Sequence, residues 1–384
     1  MSGKIFHNYL ASAAERVDES EKLWRYPLPE SPAQNSGVCA SDDGVPTYGD
    51  YFTAVHHFLE AGNYGVIVRA LSLNSGIPCS TDSIYSIRIF LVKHGAFYHP
   101  CRVEIWGQVL LGVFVVNVAV SNSGKSIIQR EFDLLQRLNV SESAGFLPMV
   151  YECADITLEN HAAFKMFLAQ WWDGFHEFHM ALDPEDHRFK LRVWDPDRHI
   201  GFLSREHTLE LYRQIAVVLT TYYNLESFEQ IFPWHHAAGD FVVHCSSAGV
   251  EVRLITVRQY AAMYVSDAAD DDARLEAMLL FLINLSIRTR IDRLDGVGDF
   301  VWAEDGVVDA TVQGFLECMA KRYPGYHHMF RQYAQAFQIR EFCETVAGSY
   351  NPCAPELPLI LEHIADHAMQ LQEVLSIRLK YQHS

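Results

Sequence analysis

Residues 232–260 read FPWHHAAGDFVVHCSSAGVEVRLITVRQY, which places a loop with two histidines, a glycine and an aspartate directly before a β-hairpin pattern. The apolar runs FVV and EVRLITV are separated by the turn-like CSSAG, so two antiparallel strands are predicted. Histidine can accept a proton near neutral pH, and a carboxylate can hold a metal ion. The loop residues His235, His236 and Asp240 are therefore the first candidates for a functional site.

Upstream of this stretch, the hydrophobic periodicity changes several times. Short β-branched or alternating runs predict strands, and one segment with its apolar residues on a single face predicts an amphipathic helix. The turn-like HGAFYHP at 94–100 joins the first two strands into a hairpin. The predicted order is β, β, β, α, β, β: Ser83–Leu91, Cys101–Trp106, Val109–Ser121, the helix Ser126–Leu138, Leu147–Cys153 and Phe164–Ala169.

Downstream of residue 170, the periodicity is mostly helical. Near-continuous apolar runs with charged ends predict helices at His207–Tyr223, Ala273–Arg290, 311–321 and 358–380. Residues 1–50 are predicted to be a polar extension and linker, because RYPLPESPAQNSGVCASDDGVPTYGD at 25–50 is rich in Pro, Gly, Ser and Asp. The predicted fold class is α+β, with a folded body that begins near Tyr51, a β-rich domain at 51–170 and a helical domain at 171–384.

The composition predicts a large core and limits the partners. The chain has 384 residues, of which 49% are hydrophobic. A chain of this length and composition has more apolar residues than a single core usually holds, so two lobes are expected. Thirty Lys+Arg against 48 Asp+Glu leave a formal charge of −18, which repels phosphate backbones and anionic membranes. Nucleic acid and membranes are therefore not expected as partners, and an unidentified protein or small-molecule substrate remains.

The cysteines and the N-terminal segment indicate the cellular compartment in which the protein is expected. The eight cysteines are dispersed without a CxxC pair, which favours reduced thiols over a disulfide framework or a zinc site. The segment MSGKIFHNYL lacks an apolar core of signal-peptide length, and no stretch approaches the roughly 20 apolar residues that span a bilayer. A cytoplasmic location is therefore expected.

The order of a glycine-containing hairpin turn, a helix with an acidic residue, and a His/Gly/Asp loop followed by a hairpin resembles the protein-kinase-like fold. The aminoglycoside phosphotransferase and choline kinase branch is the most similar, and the resemblance covers roughly residues 83–320. It implies a small β-rich N-lobe and a larger helical C-lobe. It also implies ATP and magnesium as the cofactors of an active member.

The resemblance assigns four residues before the middle of the chain to nucleotide binding. In such enzymes a hairpin turn covers the phosphates, a strand lysine holds them and a helix acid orients that lysine. Lys93 and Gly95 lie in the turn KHGAFYH, Lys125 is the nearest lysine to the strand end NVAVS, and Glu131 is the helix acid. The alternatives are an ordinary hairpin turn, because KHGAFYH has one glycine, and a solvated turn lysine at position 125.

Two registers relate the loop to the family pattern. If Asp240 is the catalytic Asp, the 16 residues from position 240 to Thr256 are too few for the intervening loop and hairpin. If Asp240 takes the place of the metal-binding Asn, GDFVV matches the family's Gly-Asn-Ile-Leu-Val run and the spacing to Thr256 fits. The second register is preferred. It implies that His235 or His236 stands at the catalytic Asp and that Thr256 stands at the magnesium Asp.

The departures from the family pattern decide the predicted function. A Thr hydroxyl is a poor replacement for a carboxylate as a magnesium ligand, and the strand lysine is absent. We therefore expect a degenerate kinase-like protein, a pseudokinase with weak or no ATP binding that acts as a regulatory or binding protein. The alternative is an active small-molecule phosphotransferase, or another nucleotide-dependent transferase, with a substituted catalytic loop. A structural role for the two loop histidines is the competing interpretation.

Two further histidine pairs have a spacing that could form a site. His363 and His367 in EHIADH lie four residues apart on a predicted helix, a spacing that can chelate zinc, but no third ligand is identifiable and core or surface histidines are favoured. In HEFH, His176 and His179 share a face if the segment is helical, and packing is the favoured interpretation.

Overall fold

The chain divides into two compact units in the computed structural model, which describes residues 5–11, 15–29, 45–95, 97–142, 144–195, 201–234, 239–265 and 270–378. Unit 1 comprises Met1–Val140 and Pro148–Asp173, and unit 2 comprises Ser141–Leu147 and Gly174–Ser384. Unit 1 is built on a β-sheet and unit 2 is mostly helical, so the chain has the mixed α+β class predicted from its sequence. No helix in the described part of the chain is long and apolar enough to cross a bilayer.

Unit 1 is organised around one sheet. Its strands are β1 Ile5–Leu10, β2 Glu15–Arg16, β3 Ser86–Leu91, β4 His99–Trp106, β5 Leu110–Ala119, β6 Val150–Thr157 and β7 Ala163–Gln170. The described strands pair in the order β2-β1-β3-β4-β5-β7-β6. All neighbouring strands are antiparallel except β1 and β3, which run parallel.

The sheet of unit 1 carries a helix on each face. Alternate residues of a strand point to opposite faces, and Met166 of β7 belongs to the large apolar core, together with Tyr51 and Phe58 of helix α1 (Tyr48–Ser75). The next residue of β7, Phe167, points to the other face and contacts Phe132 of helix α2 (Asn122–Ser141), with ring centroids 6.0 Å apart. Both faces of the sheet are therefore covered, and this explains why its central strands are apolar on both sides.

The order of elements predicted for residues 83–170 is confirmed, whereas the predicted start of the folded body was wrong. The structure has β, β, β, α, β, β there, as β3, β4, β5, α2, β6 and β7. Residues before Tyr51 are also part of the sheet, because β1 pairs with β3 from Ile5 to Leu10. The sequence pattern missed β1 because IFHNYL lies near the sheet edge and only its Asn8 is fully buried.

Unit 2 contains six of the described helices and four strand pairs. The helices are α3 Arg205–Thr221, α4 Asp271–Arg288, α5 Gly306–Arg322, α6 Pro324–Ala336, α7 Ile339–Gly348 and α8 Leu357–Arg378. The antiparallel pairs are β8 Phe178–Leu182 with β9 Phe189–Val193, β10 Glu229–Ile231 with β13 Tyr260–Ala262, β11 Phe241–Ser246 with β12 Gly249–Leu254, and β14 Ile291–Arg293 with β15 Phe300–Trp302. The predicted hairpin after Asp240 is therefore present as β11 and β12.

Gly314 of α5 lies directly against the backbone of α3. A Cβ atom at this position would lie 2.2 Å from the backbone oxygen of Arg213 and 3.0 Å from the Cβ of Ala216. Leu211 and Ile215 of α3 and Val312 of α5 are buried at the same helix pair. Only glycine lets the two backbones approach to this distance.

We expect Gly314→Ala to lower the free energy of unfolding by about 1–3 kcal/mol, because the added methyl group forces α3 and α5 apart. This loss should appear although alanine favours an isolated helix over glycine by about 1 kcal/mol. Urea denaturation measures the change. Gly325→Ala in α6 is the control, since a Cβ there meets no atom within 4 Å. Equal stability of the two variants would contradict the close contact.

Candidate functional site

The loop before β11 contains the candidate Asp240. His235 and His236 lie outside the described residues. Asp240 is 2% exposed, and its backbone oxygen accepts a hydrogen bond of 2.8 Å from the backbone N–H of Ile255. This bond ties the end of the loop to the segment that follows β12. The predicted magnesium position, Thr256, is the next residue of that segment and is also buried.

The carboxylate of Asp240 forms a bidentate ion pair with Arg258. Nη1 of Arg258 donates to Oδ2 over 2.6 Å, and Nη2 donates to Oδ1 over 2.5 Å. The guanidinium is partly exposed, with 26% of its side-chain surface accessible, whereas the carboxylate is not. Two parallel bonds between planar groups are the strongest form of this interaction. The local sequence pattern around Asp240 did not indicate Arg258 as its partner.

A second polar cluster surrounds His179 in unit 2. Nδ1 of His179 lies 3.4 Å from Oδ1 of Asp292, and Nε2 lies 3.9 Å from Oε2 of Glu177. Asp292 is fully buried, and its Oδ2 accepts a 2.7 Å hydrogen bond from the backbone N–H of Met180. The segment HEFH is extended rather than helical, so Glu177 and His179 are on the same side of the chain. The helical interpretation of HEFH was therefore wrong.

The charge of the His179 cluster is set by two opposing effects. Burial alone would lower the pKa of His179, but the bonds to Asp292 and Glu177 outweigh burial and raise the pKa to about 9. His179 is therefore protonated at neutral pH. The buried imidazolium of His179 lies between two carboxylates and holds β8 against β14. This arrangement is structural, but it contains the groups that an acid–base site uses.

The Asp240 loop and the His179 cluster meet at Gly239. Gly239 has a φ of 69°, and a Cβ there would lie 2.7–2.9 Å from the carboxylate atoms of Glu177. Only glycine accepts both this left-handed conformation and this close approach. On the other side of the same segment, the backbone of His176 exchanges two hydrogen bonds of 2.9 Å with Val243 of β11. Unit 2 thus brings Glu177, His179 and Asp240 into one region.

The predicted phosphate turn of unit 1 is held by a backbone hydrogen bond and by two contacts of His94. The backbone N–H of Gly95 donates to the oxygen of Tyr98 over 3.1 Å, and Lys93 is exposed. Nδ1 of His94 lies 3.0 Å from Nδ1 of His99 across the turn. Nε2 of His94 lies 3.2 Å from the hydroxyl oxygen of Tyr48 at the start of α1. Burial and the neighbouring His94 lower the pKa of His99 to about 4, so the His99 ring is neutral.

Lys125 and Glu131 occupy different parts of α2. Six residues separate them, about 1.7 helical turns, so their side chains project from different faces. Glu131 is 1% exposed and lies on the buried face with Ile128 and Leu135. Burial lowers the pKa of Lys125, and the charge of Asp155 on β6 opposes this shift. The structure therefore gives Lys125 an acidic neighbour on the sheet.

Among the residues that the structure describes, no group of three or more His, Cys, Asp or Glu side chains is arranged to hold a metal ion. His367 is buried and bonds to Ser286, with 3.0 Å between Nε2 and Oγ, and His363 stacks on Trp302 at 5.0 Å between ring centroids. The core interpretation favoured for these two histidines agrees with these contacts.

Three functional candidates were missed by sequence reasoning: Arg258, Asp292 and Glu177. Arg258 follows Thr256 by two residues. An arginine so close to a predicted metal site could have indicated an ion pair with Asp240. Asp292 lies 113 residues after His179, so only the tertiary structure brings them together. Glu177 stands in HEFH, where the helical assumption directed attention to the histidines alone.

No family model matches the chain, and no curated protein matches it. One solved structure to which the chain is similar is described as "WaaP in complex with acyl carrier protein". The similarity covers 64% of this chain and 86% of that chain, with 7% sequence identity and a TM-score of 0.30. At this identity and TM-score, the similarity assigns neither a fold nor a function to the chain.

Proposed function

We propose that this chain is a degenerate kinase-like protein, a pseudokinase that binds Mg-ATP weakly or not at all and acts by binding another protein. The observation that carries the proposal is the bidentate pair between Asp240 and Arg258. In the preferred register, Asp240 is the carboxylate that remains for magnesium. Both of its oxygens accept from a guanidinium, whose positive charge repels a second cation and occupies one acceptor site on each oxygen.

The strand order supports the kinase-like part of the proposal. In protein kinases the nucleotide lysine stands on the third strand of the N-lobe and pairs with a glutamate of the helix that follows. Here β3, β4 and β5 are followed by α2, and the buried Glu131 lies on that helix. The third strand of this series, LLGVFVVNVA, contains no lysine.

The position of Lys125 supports weak nucleotide binding. A lysine that holds phosphates needs the helix glutamate beside it, but Lys125 and Glu131 project from different faces of α2. Lys125 also stands in the first turn of that helix, where the positive end of the helix dipole disfavours a cation. Two of the components that act on ATP in an active enzyme are therefore displaced or neutralised.

The melting temperature with and without Mg-ATP tests the proposal. An active enzyme at 100 times its dissociation constant gains about 2.7 kcal/mol, which raises the melting temperature by several degrees. We expect little change for this chain at millimolar ATP, and the same result with magnesium or with EDTA. Arg258→Gln removes the cation beside Asp240 and should make the melting temperature respond to magnesium more than the wild type does.

The control for this variant is Arg274→Gln, which removes an arginine from an ion pair with Glu226, whose side chain is 69% exposed. It should leave the response to magnesium unchanged. A shift of several degrees that requires both ATP and magnesium in the wild-type chain would overturn the proposal. That result would favour the alternative, an active transferase with a substituted loop.

A further inference from the structure

One part of the unit 1 sheet presents arginine and aromatic side chains on the face opposite α1. The core residues of β1, β3 and β4 point toward α1, and alternate residues of these strands point the other way. The helix on that second face, α2, lies at the β7 side, where Phe132 contacts Phe167. On the side of β1 to β4 lies what we call the arginine face: Tyr9, Arg16, Arg88, Phe90, Arg102 and Trp106.

The strand register places four of these side chains in one row across the sheet. Arg16 of β2 is opposite Tyr9 of β1, and Phe90 of β3 is opposite Arg102 of β4. Tyr9 and Phe90 are neighbours on the parallel strands, and their rings stack with centroids 4.8 Å apart. Cζ of Arg102 lies 4.8 Å from the Phe90 centroid. The row therefore consists of two stacked rings between two cations.

Arg88 adds a third guanidinium to the arginine face. Its Cζ lies 4.5 Å from the ring centroid of Trp106, and within the described part of the chain it makes no hydrogen bond and no ion pair. A guanidinium has five N–H donors in its plane, and an aromatic ring contacts only the face of that plane. Burial and the charges of Arg16 and Arg88 lower the pKa of His7, so the positive charges act on the same region.

Few carboxylates offset these charges. Glu104 accepts bonds from Arg102 over 2.6 Å and from Nε1 of Trp106 over 2.9 Å, so it is fully engaged in the row next to Arg102. Asp18, at the sheet edge, lies 3.8 Å from Arg16. The guanidinium of Arg88 is left without a counterion among the residues that the structure describes. The arginine face is thus a local positive site on a chain with a net charge of −18.

The arginine face is accessible to solvent. Arg16 and Arg102 have 59% and 33% of their side-chain surfaces exposed, and Tyr9, Arg88 and Phe90 are each partly exposed. In the described ranges, the hydrogen bonds, ion pairs and ring contacts of its six side chains are all made with one another, with Glu104 or with Asp18. Their remaining donors and ring surfaces are therefore available to a ligand that approaches from solvent.

We propose that the arginine face binds a short acidic segment of a partner protein. A carboxylate accepts two parallel hydrogen bonds from a guanidinium, and Arg88 has such a pair of donors to offer. An aromatic side chain of the same segment can stack beside Tyr9 and Phe90. Arginine and aromatic side chains are also enriched at the hot spots of protein interfaces. The inference rests on the proposed function, because it assigns a surface to the partner binding that the function requires.

The charge of the whole chain favours a short acidic peptide over other occupants. A nucleic acid carries a charge at every nucleotide, so most of its length would meet the field of an acidic protein. A peptide needs only one or two carboxylates, and these can lie within about 8–10 Å of the guanidiniums, where their attraction is strongest. A second copy of the arginine face would bring guanidiniums against guanidiniums.

The capped peptide acetyl-Glu-Glu-Phe-Glu-Glu-amide tests the site, with acetyl-Gln-Gln-Phe-Gln-Gln-amide as the uncharged control of the same shape. We expect calorimetry at low salt to detect binding of the Glu peptide at about millimolar concentration. The Gln peptide should bind about tenfold more weakly or worse, because the charge-assisted bonds are lost. Added salt should weaken the binding of the Glu peptide and hardly change that of the Gln peptide.

Arg88→Gln tests the position of the site and should weaken the Glu peptide about tenfold. Arg88→Lys keeps the charge but loses the planar fork, so it should weaken the peptide by about two- to fivefold. The matched control is Arg69→Gln, which removes the same charge from α1, on the opposite face of the sheet, and should leave the affinity within about twofold. If Arg88→Gln does not fold, Arg88→Lys and the two peptides decide the question.

Several outcomes would overturn the proposal. Equal binding of the two peptides, no binding of either, or equal affinities of Arg88→Gln and Arg69→Gln would each do so. Tighter binding of a single-stranded oligothymidylate that Arg88→Gln abolishes would assign the face to nucleic acid. A dimer of the chain alone that Arg88→Gln dissociates would assign it to a second copy. No nucleotide cofactor takes part in these measurements, so their failure is distinguishable from a failure of the Mg-ATP experiment on the Asp240–Arg258 pair.

Discussion

Arg258→Ala is expected to lower the free energy of unfolding by about 3–5 kcal/mol, because it removes the guanidinium that is bonded to both oxygens of a buried aspartate. Asp240 is 2% exposed, and both of its oxygens are bonded to the guanidinium of Arg258. A carboxylate in this position cannot exchange its partner for water. Guanidinium chloride or urea denaturation followed by circular dichroism measures the change in the free energy of unfolding.

An exposed ion pair serves as the control that shows whether burial causes the large loss of stability in Arg258→Ala. Arg340 and Glu344 are 2.8 Å apart, but 70% and 56% of their side-chain surfaces are exposed. Arg340→Ala should therefore lower the free energy of unfolding far less than Arg258→Ala does. In the double variant Asp240→Asn/Arg258→Ala, most of the loss should be recovered, since no buried charge remains. If Arg258→Ala is no more destabilising than Arg340→Ala, the Asp240–Arg258 pair is hydrated, and Arg258 does not keep magnesium from Asp240.

The second large effect is expected in the pH dependence of stability, through His179. The pKa of His179 is about 9 in the folded chain, against 6.5 for an ordinary histidine. Below pH 6.5 both the folded and the unfolded chain are protonated, so the stabilisation by Asp292 and Glu177 is fully present. It declines as pH rises through about 9. The decline attributable to this group is about 3 kcal/mol as an upper value.

His179→Gln isolates this contribution. The free energy of unfolding of the wild type should fall between pH 6 and pH 9.5 by about 3 kcal/mol more than that of the variant. His57 is exposed on α1, so His57→Gln is the control for the loss of a histidine from the surface. Parallel pH curves for the wild type and His179→Gln would mean that His179 is neutral in the folded chain and that Asp292 does not stabilise its charged form.

The local part of the fold was predictable because neighbouring residues decide it. In α2, Ile128, Leu135 and Leu138 recur on one face and are buried, as their spacing indicated. The runs FVV and EVRLITV with a polar turn between them form the β11–β12 hairpin. Each of these elements depends on a period within about 15 residues, which a single sequence displays directly.

The elements that the sequence pattern did not predict depend on contacts with residues far away in the chain. Strand β1 is a short mixed segment whose strand character comes from its parallel hydrogen bonds to β3, which begins 81 residues later, at Ser86 against Ile5. Helix α1 follows a stretch rich in Pro, Gly and Ser, and its interior is interrupted at Ala61–Tyr64, where the backbone leaves the helical region. Sequence periodicity does not record such tertiary support.

The amino-acid sequence by itself determined the α+β class, the strand order of residues 83–170, the hairpin after Asp240 and the absence of a strand lysine. Tertiary structure alone decided which charges meet. Asp240 pairs with Arg258, and His179 pairs with Asp292. Asp292 lies 113 residues from His179, so the local spacing of residues does not indicate this pair. The physical reason is that a period of 2 or 3.6 residues sets which face of an element is apolar. The partner of a buried charge, in contrast, is set by which elements pack together, and an unpaired buried charge is too costly to remain.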